Sequence, residues 1–203
     1  RHLIHGIDKT EGINIICCHH EQAAAMAADA YSRISGIPGL AITSSGPGAT
    51  NLITGICGCF YDSVPAFFVT GQVATFRMSQ NQEVRQIGFQ ETPIVEMVKR
   101  VTKYAVQIID PNDIRYELEK AFYLSKNGRP GPVLIDIPDD IQRQDIDPRV
   151  LRKFTPDTLN QNLPITWENN LRDIHKQLLV AQRPVIIAGW GVHLAACESK
   201  FIS

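Results

Sequence analysis

The chain has 203 residues, a formal net charge of −1 and a hydrophobic content of 44%, a composition typical of a globular protein that is long enough to bury a sizeable core. A net charge this close to zero gives no support for nucleic acid or an anionic membrane as a partner. No apolar run reaches the roughly 18–20 residues that would span a bilayer. Apolar surroundings predict reduced, core-packed thiols in a cytosolic protein for the five cysteines, which are Cys17, Cys18, Cys57, Cys59 and Cys197.

Strand-like and helix-like segments alternate along the chain. Six short runs rich in β-branched and aromatic residues are predicted as strands, namely 13–18, 39–43, 64–70, 102–108, 132–137 and 184–189. Helices are predicted from about Glu21 to just before Gly36, from about Ala49, and from about Pro111 to just before Gly128. The third helix is expected to carry one apolar face, formed by Ile114, Leu118, Ala121, Phe122 and Leu124. The alternation predicts an α/β fold, a doubly wound parallel sheet with helices on both faces.

The composition changes after residue 141. Residues 142–164 are polar, contain three prolines and show little periodicity, so they are predicted to be a linker. Residues 1–141 then form a first domain, and residues 165–203 form the beginning of a second α/β domain. The chain starts at Arg1 without a methionine and stops soon after the second domain opens. It is therefore expected to be a piece of a longer protein.

Glu21 stands between an apolar predicted strand and an alanine-rich predicted helix. An acidic residue at a helix N-terminus is common, because the helix dipole stabilises it by about 0.3–1 kcal/mol. The apolar neighbours at 15–18 and 23–26 also predict poor solvation, which would raise the pKa of the carboxyl group. A carboxyl group of that kind can share or transfer a proton near neutral pH. Glu21 is therefore a candidate catalytic residue, and the capping role stays open beside it.

Two loops directly follow predicted strands, where ligands bind in α/β sheets. The stretch SSGPGATN at 44–51 has glycines that permit close backbone approach, but it is neither a P-loop nor a G-x-G-x-x-G motif. Gln72 follows the 64–70 strand, and GFQE at 88–91 adds an aromatic ring and an amide in a third loop. Taken singly, each is also explained as a structural loop. The histidines show no metal-ligand spacing, so no metal site is predicted within the chain.

Together these motifs resemble the N-terminal, pyrimidine-binding domain of the acetolactate synthase (acetohydroxyacid synthase) large-subunit family of thiamine-diphosphate enzymes. The similarity extends from about residue 19 to residue 142. The stretches that carry it are HHEQAAAMAADAYSR, SSGPGATNLITGI, DSVPAFFVTGQV, FQETPIVEMVKRVTKYAV and FYLSKNGRPGPVLIDIPDDIQ. RPVIIAGWGV is similar to the start of the family's central domain. The resemblance implies the thiamine-diphosphate-binding fold for the first domain.

The resemblance also implies roles for individual residues. Glu21 would hydrogen-bond N1′ of the aminopyrimidine ring of thiamine diphosphate and favour its imino tautomer. Pro47 and Asn51 would lie against that ring, and Gln72 would lie near the cofactor and the substrate. The implied substrate contacts, of which the two in the GFQE loop would serve a neighbouring subunit, are Pro65, Phe89, Gln90 and Lys103.

The implied activity is that of a carboligase that converts two pyruvate molecules into 2-acetolactate and CO2 in branched-chain amino acid biosynthesis. The implied cofactors are thiamine diphosphate, Mg²⁺ with its ligands in a C-terminal domain, and FAD, which the family's central domain helps to hold. The implied partners are a 2-keto acid substrate, a second identical chain that completes the active site, and a regulatory subunit. The implied compartment is the cytoplasm, or an organellar stroma or matrix in a eukaryote.

Three departures from the family pattern keep alternatives open. The glycine-rich loop before the first helix and the Gly-Asp-Gly…Asn motif for Mg²⁺ and diphosphate are not found in the chain, so the chain alone is expected to be inactive. The family commonly reads GTDAFQE where this chain has VRQIGFQE at 84–91. That difference fits a related decarboxylase or carboligase acting on another 2-keto acid. Non-enzymatic alternatives are a structural or regulatory partner built on the same domain and an unrelated nucleotide-binding module.

Overall fold

The computed structural model describes residues 2–79, 84–156 and 167–202. The chain divides into two compact units, Arg1–Asp157 and Thr158–Ser203. Part of the predicted linker, residues 157–164, lies outside the described residues.

The first unit alternates strands and helices as predicted. Its described strands are β1 (Gly39–Thr43), β2 (Ala66–Gln72), β3 (Tyr104–Gln107) and β4 (Val133–Pro138). Its described helices are α1 (His2–Asp8), α2 (Glu21–Ser35), α3 (Pro47–Asn51), α4 (Ile53–Asp62), α5 (Ile94–Val98) and α6 (Ile114–Lys126). Three short 3₁₀ turns lie at Thr75–Arg77, Pro111–Asp113 and Ile141–Arg143.

The four described strands form one parallel sheet in the order β1-β2-β4-β3. In its register, Gly39 lies opposite Ala66, and Val133 lies opposite both Phe67 and Tyr104. Parallel neighbours need crossover connections, and helices between the strands supply them here. The predicted α/β fold with a parallel sheet is therefore confirmed.

Both faces of the sheet are covered, because successive side chains of a strand point to opposite faces. Phe68 of β2 points into one apolar cluster, and its neighbours Phe67 and Val69 point into the other. The first cluster is completed by α2, α4 and α5, through residues that include Ala25, Leu52, Ile56, Cys59, Ile94 and Val98. The second is completed by residues that include Ile108, Ala121, Val133, Ile135 and Ile137. Helices on both faces confirm the doubly wound arrangement.

Helix α2 has the predicted bounds because each of its ends is chemically satisfied. The His20 Nδ1 accepts a hydrogen bond from the backbone N–H of Gln22 at 3.1 Å, which caps the first turn. Gly36 closes the last turn with φ 70°, the left-handed conformation that glycine adopts without strain. The Ser32 hydroxyl accepts from the Gly39 N–H at 2.7 Å and donates to the Pro65 carbonyl at 2.6 Å. This hydroxyl joins α2 to the starts of β1 and β2.

Two predicted strands are wrong. Residues 13–18 form no strand and are exposed, with Ile16 at 84%. The predicted strand at 184–189 likewise forms no strand, and its residues are exposed. Both runs have strand-like composition, but an apolar run becomes a strand only where a neighbouring strand completes its hydrogen bonds. Neither run has such a neighbour among the described residues.

Two predictions about burial are also partly wrong. Cys17 and Cys18 are exposed, because they belong to the unpaired run, whereas Cys59 is buried in the core; all five cysteines are free. In α6, Leu118 and Phe122 are exposed, while the small residues Ala121 and Ser125 are buried. Ala121 and Ser125 are one turn apart, so they form the line along which α6 approaches the sheet.

Residues 144–156, part of the predicted linker, pack along α6. The Phe154 ring lies 5.6 Å from the Tyr116 ring and 5.5 Å from the Tyr123 ring, measured between centroids. The Phe154 N–H donates to the Glu119 carboxylate at 2.8 Å, and Leu151 is buried. The structure therefore places this segment in the first unit.

The second unit contains α7 (Trp167–Val180), α8 (Trp190–Leu194) and α9 (Glu198–Ile202) among its described residues. In neither unit does a described helix combine the length and the apolar character needed to cross a membrane.

Candidate functional site

The carboxyl ends of the parallel strands share one edge of the sheet, where ligands bind in open α/β folds. Helix α3 begins at Pro47, just beyond the end of β1, and ends at Asn51. The Asn51 Nδ2 donates to the Glu21 Oε2 at 3.0 Å across 30 residues of chain. The structure therefore brings together Glu21, Pro47 and Asn51, which were predicted from separate motifs.

The turn between β1 and α3 requires its glycines. Gly46 adopts φ 64° and ψ −128°, a combination that side chains rarely permit. A Cβ atom at Gly46 would lie 2.6 Å from the Gln90 Cβ. A Cβ atom at Gly48 would lie 2.6 Å from the Ser44 Oγ and 3.5 Å from the Glu21 Oε1. The two glycines therefore allow the turn to lie against the side chains of Gln90 and Ser44, next to the Glu21 carboxylate.

Glu21 is half-buried, and its pKa is lowered rather than raised. The hydrogen bond from Asn51 is the largest cause, its own backbone N–H is the next, and burial acts in the opposite direction. The prediction of a raised pKa is therefore wrong for this chain. The apolar residues 13–18 are exposed and do not cover the carboxylate, whereas Asn51 stabilises its charged form.

Gln72 ends β2 at the same edge, and it is buried at 6% exposure. Its Nε2 donates to the Thr92 carbonyl at 2.6 Å and to the Asp136 Oδ2 at 3.2 Å. Its Oε1 accepts from the Val73 N–H at 3.0 Å. Both amide hydrogens are thus used within the chain, so Gln72 bridges the sheet and the loop that precedes Thr92.

Asp136 of β4 is a buried carboxyl group that the sequence analysis did not single out. It accepts hydrogen bonds from the Thr70 hydroxyl at 2.6 Å and from the Gln107 amide at 2.7 Å, in addition to Gln72. Burial raises its pKa to about 6, and the three hydrogen bonds act in the opposite direction. The signal for it was an aspartate within the apolar run VLIDIP.

The loop of residues 84–91 is built around Glu91, a second residue that the sequence analysis did not single out. The Glu91 carboxylate accepts from the backbone N–H groups of Ser79, Ile87 and Gly88. Burial alone would raise the pKa of Glu91, but these backbone donors lower it. Gln90 has φ 63° and lies against Gly46, while the Phe89 ring is 86% exposed.

Pro65 and Lys103 lie at the opposite edge of the sheet. They come just before β2 and β3, at the amino ends of the strands, and β2 alone extends for roughly 20 Å at about 3.3 Å per residue. The Lys103 ammonium donates to the Asn127 carbonyl, and burial lowers its pKa. Within one chain, the structure does not bring Pro65 and Lys103 together with Glu21.

A metal-binding cluster is not found in the described ranges. No group of three or more His, Cys, Asp and Glu side chains there is arranged to hold a metal ion.

Comparison with known proteins identifies the family. Residues 1–97 match the family described as thiamine pyrophosphate enzyme, N-terminal TPP binding domain. The chloroplastic acetolactate synthase of Arabidopsis thaliana is 38% identical over 189 residues, which cover 91% of this chain and 27% of the relative. The acetolactate synthase large subunit of Buchnera aphidicola is 40% identical over 185 residues, which cover 89% of this chain and 31% of the relative. That of Lactococcus lactis is 36% identical over an alignment of 205 positions, gaps included, which covers 98% of this chain and 33% of the relative.

The chain thus spans between about a quarter and a third of the length of these relatives. The family match agrees with the parallel α/β fold. The chain belongs to the acetolactate synthase large-subunit family of thiamine-diphosphate enzymes and corresponds to its N-terminal part.

Proposed function

We propose that this chain forms the pyrimidine-binding part of an acetolactate synthase, which joins two pyruvate molecules into 2-acetolactate with loss of CO2. The observation that carries this proposal is the Glu21 carboxylate, held by Asn51 beside the turn of Gly46 to Gly48. The names of the relatives support the same reaction.

The residues present fit an aminopyrimidine ring. The half-buried, ionised Glu21 carboxylate can pair with a ring nitrogen, and Gly48 places no side-chain atom of its own against the Glu21 Oε1. Pro47 makes the start of α3 rigid, because its ring fixes φ. When bound, thiamine diphosphate supplies the carbon nucleophile that attacks the 2-keto acid.

The role of Glu21 is to hold a proton at a ring nitrogen. Its lowered pKa keeps the carboxylate ionised and ready to accept while the site is open. A ring that covers the carboxylate would displace water and raise the pKa of Glu21, so that the proton is shared between the oxygen and the ring nitrogen. Asn51 fixes the carboxylate so that one orientation is presented.

The rest of the enzyme is proposed to include a second identical chain. Pro65 and Lys103 lie at the edge opposite to Glu21, and Phe89 presents its ring to solvent. These positions suit a site completed by residues of a neighbouring subunit. The relatives named as large subunits support a further, regulatory subunit.

Mg²⁺ is proposed to be held by a C-terminal domain of the complete enzyme and FAD with the help of its central domain, as the resemblance to the family implies. The proposed compartment is the cytoplasm or an organelle, in keeping with bacterial and chloroplastic relatives.

The test is acetolactate formation from pyruvate by the complete enzyme, with thiamine diphosphate and Mg²⁺ present. Glu21→Gln should lower kcat by roughly 100-fold or more, the range expected for loss of a proton-transferring group. Glu96→Gln is the matched control, because Glu96 is an exposed glutamate outside the site, and it should retain full activity. Full activity of Glu21→Gln, or turnover only with a different keto acid, would contradict the proposal.

A further inference from the structure

We propose that Asp136 is a positioning residue of this site, which acts through Gln72 on the placement of the loop at residues 84–92. The inference rests on the proposed function for its effect on catalysis, but the structural link can be tested without it.

Asp136 is an unusual group to keep inside a sheet. It is completely buried, and its described hydrogen-bond partners are the neutral side chains of Thr70, Gln72 and Gln107. A buried carboxyl group without a cation is costly, so an apolar residue would stabilise the core better. Its presence in the middle of β4 therefore calls for a role other than stability.

The hydrogen bonds show where that role lies. The Gln72 Nε2 donates both to Asp136 and to the Thr92 carbonyl, while the Val73 N–H donates to its Oε1. An amide group is planar, so these three contacts together fix one orientation of it. Asp136 thereby determines where the Thr92 carbonyl is held relative to the sheet.

Thr92 is the end of a loop with little freedom of its own. The carboxylate of the preceding residue, Glu91, accepts hydrogen bonds from the backbone N–H groups of Ile87 and Gly88. Gln90 in turn contacts Gly46, in the turn beside Glu21. A displacement of Thr92 is therefore passed to Gln90 and to the substrate side of the proposed site.

Thr70, another hydrogen-bond partner of the Asp136 carboxylate, offers an internal control. Thr70 binds the same carboxylate, but at Oδ1 and without any described bond to the loop. Asp136→Leu and Gln72→Met remove the link to Thr92, whereas Thr70→Val perturbs the same carboxylate and leaves the link in place. Asp136→Asn should preserve the link to Thr92. The carboxamide oxygen of the new asparagine can accept hydrogen bonds from Gln72 and Gln107, while its NH2 group donates to the Thr70 hydroxyl.

The first measurement is hydrogen–deuterium exchange in the complete enzyme. Amide exchange over residues 87–92 should rise at least tenfold in Asp136→Leu and Gln72→Met. It should stay within about twofold of the wild type in Thr70→Val and Asp136→Asn. Equal exchange of this segment in Asp136→Leu and Thr70→Val, or a uniform rise across all of the first unit, would overturn the proposal.

The second measurement separates this inference from the proposed function. In Asp136→Leu, KM for pyruvate should rise at least tenfold while the affinity for thiamine diphosphate changes less than threefold, and Asp136→Asn should restore KM. An unchanged KM beside a loosened loop would overturn the catalytic part of the inference. A wild-type enzyme that makes no acetolactate contradicts the proposed function instead, and the exchange result then decides the link on its own.

Discussion

Asp136 is a carboxyl group surrounded by neutral donors, so its ionisation is coupled to folding. Its pKa is about 6 in the folded chain, against an ordinary value of 3.8. Between these two values the folded state holds a proton that the unfolded state has released. The contribution to stability is therefore fully present below about pH 3.8 and is lost as the pH rises through about 6. The difference amounts to about 3 kcal/mol.

The first prediction follows at this residue. Asp136→Asn removes the titration, so the free energy of unfolding of the variant, relative to the wild type, should increase by about 3 kcal/mol between acidic pH and pH 7. Urea unfolding of both proteins at a series of pH values measures this difference. Parallel curves of unfolding free energy against pH for the two proteins would show that folding does not raise the pKa of Asp136.

Single residues also show which features of the site could be predicted from the sequence. Motifs identified Glu21, Pro47 and Asn51, and the structure brings these three together. The direction of the Glu21 pKa could not be predicted, because it depends on a donor 30 residues away rather than on its chain neighbours. Asp136 shows the same limit, since its sequence position indicates burial but does not reveal which amides it fixes.

At the scale of elements, α2 and α4 meet at a contact that only glycine permits. A Cβ atom at Gly55 would lie 2.4 Å from the Cβ of Ala25, which is completely buried in α2. Gly58 lies on the same helix α4, but a Cβ atom there would meet only the Asp29 Oδ2, at 3.9 Å. Substitutions at the two glycines therefore distinguish the effect of helix packing on stability from the effect of helix propensity.

The second prediction compares these glycines. Gly55→Ala should destabilise the protein by about 1–3 kcal/mol, because α2 and α4 must move apart. Gly58→Ala should stabilise it by up to about 1 kcal/mol, because alanine has the higher helix propensity. Urea unfolding of both variants gives the comparison, and an equal gain in stability in both would refute the tight contact.

The elements themselves were predictable where local composition and pairing agree. Strand β1 has the predicted bounds, and β2 and β4 differ from theirs by only one or two residues. The run at 13–18 has the same β-branched character but forms no strand. The difference lies in long-range pairing, since β1 has β2 beside it and the run has no described neighbour. Composition alone does not contain that information.

At the scale of the whole molecule, the proposed site residues divide between the two edges of the sheet. Glu21 and Asn51 lie at the carboxyl edge, whereas Pro65 and Lys103 lie at the amino edge. If residues from both edges serve one active site, that site must combine two chains. In a symmetric dimer, each of the two sites would then take Glu21 from one subunit and Lys103 from its partner.

This division predicts complementation between two inactive variants. Complete enzymes carrying Glu21→Gln and Lys103→Met should each be inactive, but a mixed dimer has one site with both native residues. Random pairing makes half of the dimers mixed, each with one intact site of two, so about a quarter of the wild-type activity should return. Unfolding and refolding the two variants together, followed by an assay of acetolactate formation, measures the recovery.

Recovery of activity would also show that both variants fold, because neither contributes an intact site unless its chain is native. Differently tagged subunits establish that mixed dimers have formed. If mixed dimers form and no activity returns, Glu21 and Lys103 serve the same site from one chain. A Lys103→Met homodimer with full activity would instead show that Lys103 serves no site. Its burial and its bond to the Asn127 carbonyl would then mark a structural residue at the amino edge.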